Sequence, residues 1–152
     1  METSTIIGTV QNIFIGADER NWELCLSAFA PKVLLDYTSL AGGEPATLPA
    51  STIIDSWKGF LPKFTATHHQ LSNFVVREND VTAEAFFYGT ASHYLPNPSG
   101  RNIWTVVATY DAKLEKHGAD WKVTALRLNL KYIDGNTDLP ALALGPANTQ
   151  KQ

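Results

Sequence analysis

The sequence predicts an α+β fold: a curved antiparallel sheet wrapped around N-terminal helices. Three observations predict it. Up to Pro62, apolar residues recur mainly at helical spacing. After Pro62 the period changes to two, over four long segments. Short turn sequences join those segments, as hairpins require and as parallel crossover units do not.

The elements follow in order. Ile6, Ile7, Val10, Ile13 and Phe14, continued by Ala17, form the stripe of a first helix. After Asp18 a second helical pattern runs through Trp22, Leu24, Cys25, Leu26, Ala28 and Phe29, and Pro31 is expected to stop it. Residues 32–40 read as a strand, and Ala41-Gly42-Gly43-Glu44-Pro45 as a loop. Another helix starts at 49–51 with Ser51 as N-cap, presents Ile53, Ile54, Trp57, Phe60 and Leu61, and ends at Pro62. Segments 65–77, 81–95, 103–115 and 121–133 are strands. Residues 1–133 are expected to form one domain, and 134–152 a tail or lid carrying Leu139, Leu142 and Leu144.

Composition bounds the function. A chain of 152 residues with 44% hydrophobic content holds one core and is not disordered. Twelve Lys+Arg against 15 Asp+Glu, with no basic run longer than two, argues against nucleic acid as a partner. One cysteine excludes an internal disulfide. Met1-Glu2-Thr3 is acidic where a signal peptide is basic, and no apolar run reaches membrane-spanning length. A cytoplasmic protein with a small-molecule partner and no membrane partner is expected.

A curved sheet on helices encloses a cavity, the default ligand site. Alternation puts Ala83, Ala85, Phe87, Gly89, Ala91 and His93 on one face, and Trp104, Val106, Ala108, Tyr110, Ala112 and Leu114 on the matching face of the next strand. His68 and His69 must face opposite ways, and periodicity does not choose between them. Asp18 has two readings: cap of the second helix, or an acid in the cavity.

Three stretches carry a resemblance: Ala17-Asp18-Glu19-Arg20-Asn21-Trp22, Leu35-Asp36-Tyr37-Thr38-Ser39-Leu40 and Ala66-Thr67-His68-His69-Gln70-Leu71. They resemble the scytalone dehydratase-like, SnoaL-like members of the nuclear transport factor 2-like superfamily, a cone-shaped α+β barrel. The resemblance implies that His69 is a general base oriented by Asp18. It implies that Tyr37 holds a water against a substrate carbonyl and that His93 assists elimination. The chain departs from that pattern at Ala17, Ala108 and Tyr110, so altered substrate recognition is expected. Open-backed sheets of this superfamily often pair, which implies a homo-oligomer, dimer or trimer, with Trp121, Val123, Arg127 and Lys131 as a candidate face.

The expected function is therefore a cofactor-independent lyase of the dehydratase type. His69 abstracts a proton next to a carbonyl, Tyr37 hydrogen-bonds the enolate oxygen, and His93 protonates a leaving hydroxyl. The substrate is a hydroxylated cyclic or polyketide-like ketone held by Trp104, Tyr110, Phe87 and Trp57. Two alternatives stand beside it: an isomerase or cyclase with the same base, and a non-catalytic small-molecule-binding domain. Asp18, His69 and His93 match a metal-ligand set by residue type, but no ligand spacing supports one, so no metal is expected.

Overall fold

Ile6, Val10, Ile13, Phe14 and Ala17 are all buried on one face of α1 (Thr3–Asp18). Steps of three and four residues keep them on one side of a 3.6-residue helix. The helix closes in a reversal where Arg20 takes a φ of 58°. There the Asn21 amide donates to the Gly16 carbonyl at 2.8 Å and the Arg20 amide to Ala17 at 3.4 Å, the paired closure of a Schellman motif. In α2 (Trp22–Ser27), Asn21 Oδ1 accepts from the Leu24 amide at 3.2 Å. Asn21 is thus the cap of α2, and the Asp18 carboxylate is left for other partners. The computed structural model describes residues 1–145; the rest of the expected tail, 146–152, lies outside the described residues.

Three local expectations are corrected. The second helix ends at Ser27, not at Pro31, and β1 (Phe29–Asp36) already contains that proline. The missing Pro31 N–H is tolerated because the β1 ladder skips from Phe29 to Leu34 on the side where it pairs in parallel with the last strand. The strand does not continue to residue 40. Asp36 Oδ1 accepts from the Thr38 amide at 3.1 Å and the Thr38 hydroxyl at 2.6 Å, which turns the chain into the short helix α3 (Thr38–Ala41). The residues that follow the expected loop pair with β1 as β2 (Ala46–Pro49). Helix α4 (Ala50–Phe60) then starts after Pro49, so Ser51 lies inside its first turn and is not the cap.

The four long strands form as the alternation predicts: β3 (Ala66–Glu78), β4 (Thr82–Tyr94), β5 (Ile103–His117) and β6 (Asp120–Gly135). The sheet order is β2-β1-β6-β5-β4-β3, antiparallel except for the β1–β6 pair. It is curved and does not close. A bulge in β3 is part of its shape. Asn73, at φ 58°, is the extra residue where the register slips between Ser72 and Val75. It reverses the alternation, so Thr67, His69 and Leu71 face in before it and Phe74 and Val76 face in after it. Uninterrupted period two therefore could not decide between His68 and His69.

Two packed clusters fill the cone. The larger joins α1 and α4 to the inner faces of β4, β5 and β6. The smaller holds Phe64, Ala91, Trp104, Val106 and Leu139. Leu139 belongs to α5 (Leu139–Leu144) and is fully buried, whereas Leu142 and Leu144 are exposed. Trp121 and Val123 are buried at 2% and 0% exposure, which removes them from any outward pairing face. Among the described residues no helix is long and apolar enough to cross a membrane.

Candidate active site

The concave face and the helices enclose a cavity of about 160 Å³, and Tyr37, Trp57, His69, His93, Trp104 and Tyr110 are among its lining residues. A larger groove of about 660 Å³ lies on the outer sheet face among Arg77, Glu84, Asp111, Lys113 and Arg127. The inner cavity is the candidate site because apolar walls and convergent polar groups meet there.

Asp18 ends α1 and reaches across to β3. Its Oδ1 lies 2.7 Å from His69 Nδ1, and its Oδ2 accepts the His69 backbone N–H at 2.7 Å. Oδ1 also accepts the Thr67 hydroxyl at 3.1 Å. Burial alone raises the pKa of this acid. The hydrogen bond and charge of the His69 ring, the His69 amide and the Thr67 hydroxyl outweigh burial and hold it below the usual carboxylate range. An ionised acid only accepts, so Nδ1 of His69 carries the proton. In the neutral ring the other nitrogen, Nε2, is then the acceptor, on a ring that lines the cavity.

His93 stands on the neighbouring strand, its ring centroid 6.4 Å from that of His69. Its Nδ1 lies 3.0 Å from the Trp104 carbonyl oxygen. A carbonyl only accepts, so Nδ1 again carries the proton. Burial pushes the imidazole down to about 4. A ring held neutral by burial is poorly suited to protonate a leaving hydroxyl. It offers a hydrogen-bond acceptor instead.

Tyr37 stands at the N-cap position of α3, with its ring 6.4 Å from that of Tyr110. Burial raises both phenols above their ordinary range. Both therefore remain donors. Gly89 makes room for Tyr110, since a Cβ there would meet Tyr110 Cε1 at 2.5 Å. Phe87 is not a cavity wall. It is fully buried behind Tyr110, stacked on it at 5.1 Å and on Phe74 at 5.0 Å. Trp57 and Trp104 do line the cavity, Trp104 with its ring 4.2 Å from that of His93.

Sequence reasoning missed Phe14, Leu40 and Phe60 as walls, Thr67 as a donor to Asp18, and Arg20 as a donor to Thr67. Thr67 was recoverable, because a residue two before His69 shares its face. Arg20 carried no such signal. Among the described residues, no group of three or more His, Cys, Asp or Glu side chains is placed to hold a metal ion.

Comparison with known proteins follows this geometry. A profile described as a SnoaL-like domain matches residues 3–127. The chain belongs to the SnoaL-like domain family. No functionally curated protein matches the sequence. The Kfla4162 protein of Kribbella flavida superposes on this SnoaL-like chain with a TM-score of 0.85 at 24% identity, covering 93% of this chain and 96% of that one. A candidate scytalone dehydratase from Novosphingobium aromaticivorans gives 0.75 at 17% identity, covering 89% and 87%. The hexachlorocyclohexane dehydrochlorinase LinA-type3 of Novosphingobium barchaimii gives 0.70 at 15% identity, covering 90% of each chain. The SnoaL-like fold seen here is that of the nuclear transport factor 2-like superfamily.

Proposed function

We propose that this SnoaL-like protein is a cofactor-independent lyase of the dehydratase type, with His69 as its base. The observation that carries the reading is an imidazole whose Nδ1 is held by Asp18 at 2.7 Å while its other nitrogen is free on an apolar cavity. Histidine is a base near neutral pH, and a carboxylate on one nitrogen fixes the tautomer and stabilises the cation that forms. Two structural relatives bear names, dehydratase and dehydrochlorinase, that describe eliminations.

In the proposed reaction His69 Nε2 takes a proton from the carbon next to a ketone. The C–H electron pair becomes the enolate, whose oxygen receives a hydrogen bond from the Tyr37–Tyr110 pair. The enolate electrons then form the C=C bond as the β-hydroxyl leaves. The His69 imidazolium returns the proton to that hydroxyl, because neutral His93 is poorly suited to do so. The products are water and an unsaturated ketone. A cavity of about 160 Å³ is close to the volume known to hold a benzene ring. The substrate we propose is accordingly a neutral ketone with a single ring, smaller than a fused polyketide. An isomerase with the same base draws support from the lack of a second acid at His93. It moves the proton along the carbon chain without loss of water.

The test is turnover of single-ring β-hydroxyketones by the wild type, His69→Ala and Asp18→Asn. Loss of one water from the product mass marks a dehydratase, and an unchanged mass marks an isomerase. Both variants are expected to fold and to lose about 10²–10⁴-fold in rate, the usual worth of a positioned base. Wild-type rates in both folded variants overturn the proposal. Capture of ligand with no product at any pH points instead to a binding domain.

A further inference from the structure

Arg20 occupies a backbone position that favours glycine. It follows the α1 C-cap with a φ of 58°, and at that place in a Schellman closure glycine carries no Cβ penalty. An arginine is held there by what its guanidinium does. Nη1 donates to the Ala17 carbonyl at 2.8 Å and to Thr67 Oγ1 at 2.9 Å, and Nη2 donates to the Leu61 carbonyl at 2.9 Å. One side chain thus ties the end of α1, the turn after α4 and the start of β3. Ala17 and Leu61 both line the cavity.

The bond to Thr67 has a direction. A guanidinium has donors only, so the Thr67 oxygen accepts from it. A hydroxyl has one proton, and at Thr67 that proton points on to Asp18 Oδ1, 3.1 Å away. Thr67 is 6% exposed, so water does not compete for it. The order of donation is therefore fixed as Arg20 to Thr67 to Asp18, with His69 Nδ1 donating to the same Oδ1 from the other side.

We infer that Arg20 and Thr67 are positioning residues that hold the Asp18 carboxylate in place and restrain the basicity of His69. The relay places a donor on the oxygen that faces the imidazole. Negative charge drawn toward Thr67 is withdrawn from the imidazolium, and a nearby guanidinium opposes that cation directly. Both effects make His69 a weaker base than Asp18 alone would make it. The groups that face His69 are Asp18 and Arg20 from α1 and its closing turn, His93 from β4, and the Tyr110–Tyr37 pair. Glu19 and His68 flank the dyad on its outer side.

The inference rests on the reading of His69 as the base, but its test needs no substrate. The His69 ring signal, assigned by its loss in His69→Gln, is followed by NMR against pH in four proteins: wild type, Thr67→Ser, Thr67→Val and Arg20→Gly. Thr67→Ser keeps the hydroxyl and is expected to titrate with the wild type. Thr67→Val and Arg20→Gly are expected to titrate higher by about half a pH unit or more, the scale of one charge-assisted hydrogen bond shared between two partners. Arg20→Gly also relieves the backbone, so it supplies a folded variant even if Thr67→Val does not fold. A wild-type midpoint in Arg20→Gly, or in a folded Thr67→Val, overturns the inference whatever the turnover assays show. A shifted midpoint in a protein that turns over no substrate upholds the relay and removes the base.

Discussion

His93 and Trp104 are joined by a bond whose direction sets the tautomer of a buried ring. The His93 Nδ1–H donates to the Trp104 carbonyl oxygen at 3.0 Å, on a histidine 4% exposed. The bond stabilises a protonated Nδ1 and in part favours the cation, yet burial prevails and holds the ring down to about 4. The cavity thus contains one imidazole oriented by an acid and one held neutral.

Acid stability follows from that second ring. An unfolded chain binds a proton at His93 as pH falls through the ordinary value of 6.5, and the folded chain does so only near 4. Between those values the unfolded state holds more protons, so stability falls with pH. The contribution is present above pH 6.5 and is lost toward pH 4, on the order of 3 kcal/mol if the shift is realised in full. Asp18, held low, works in the same sense in the more acidic range. Calorimetric melting between pH 7 and pH 4.5 is expected to show a steep decline in the wild type and a shallower one in His93→Gln. Parallel curves would show that His93 is not held neutral.

The fold was legible in the sequence where one physical signal acted alone. The α1 stripe and the inward sets of β4 and β5 obey a single period from end to end, and all twelve inward residues of those strands are buried. Legibility failed where a side chain overrode the period. Asp36 turned a strand into α3, and Asn73 reversed the faces of β3. The site shows the same division. His69 and His93 are set by alternation and motif, but Arg20 acts through a backbone reversal that no hydrophobic pattern encodes. Phe87 was misplaced because inward parity does not separate a wall from what stands behind it.

Asn73 offers a test of the bulge. Asparagine tolerates positive φ, and glycine adopts it without steric cost. Asn73→Gly is expected to change stability by no more than a few tenths of a kcal/mol. A β-branched residue is the poorest fit to that conformation, so Asn73→Val is expected to cost about 1–2 kcal/mol. Urea titration of the three proteins measures both. Equal midpoints for Gly and Val would mean that the bulge does not require positive φ.

Gly89 links the sheet to the cavity wall. An alanine Cβ at this position meets Tyr110 Cε1 at 2.5 Å, closer than two carbons can approach. Tyr110 is also pinned by Phe87 at 5.1 Å and by Phe14 at 5.3 Å, so the ring has little room except toward the cavity. Gly89→Ala is expected to cost about 1–3 kcal/mol, as overpacking does, and to weaken binding of single-ring ligands. Thermal melting and ligand titration read the two effects separately. Unchanged ligand affinity would show that Tyr110 yields away from the cavity.

The Tyr37–Tyr110 pair has its own signature. Both phenols are raised above the ordinary tyrosine range by burial, Tyr37 further by the charge of Tyr110. A phenol that stays protonated remains a donor, which is what an enolate oxygen requires. The double variant Tyr37→Phe, Tyr110→Phe is therefore expected to leave the tyrosinate absorbance curve unchanged below about pH 11, one unit past the ordinary value. It is expected to remove amplitude only beyond that point. For turnover, Tyr37→Phe is expected to lower the rate about 10–100-fold with little change in KM, because the donor acts on charge that appears after the proton has left carbon. A rise in KM at constant rate would instead assign the pair to binding the ground-state ketone.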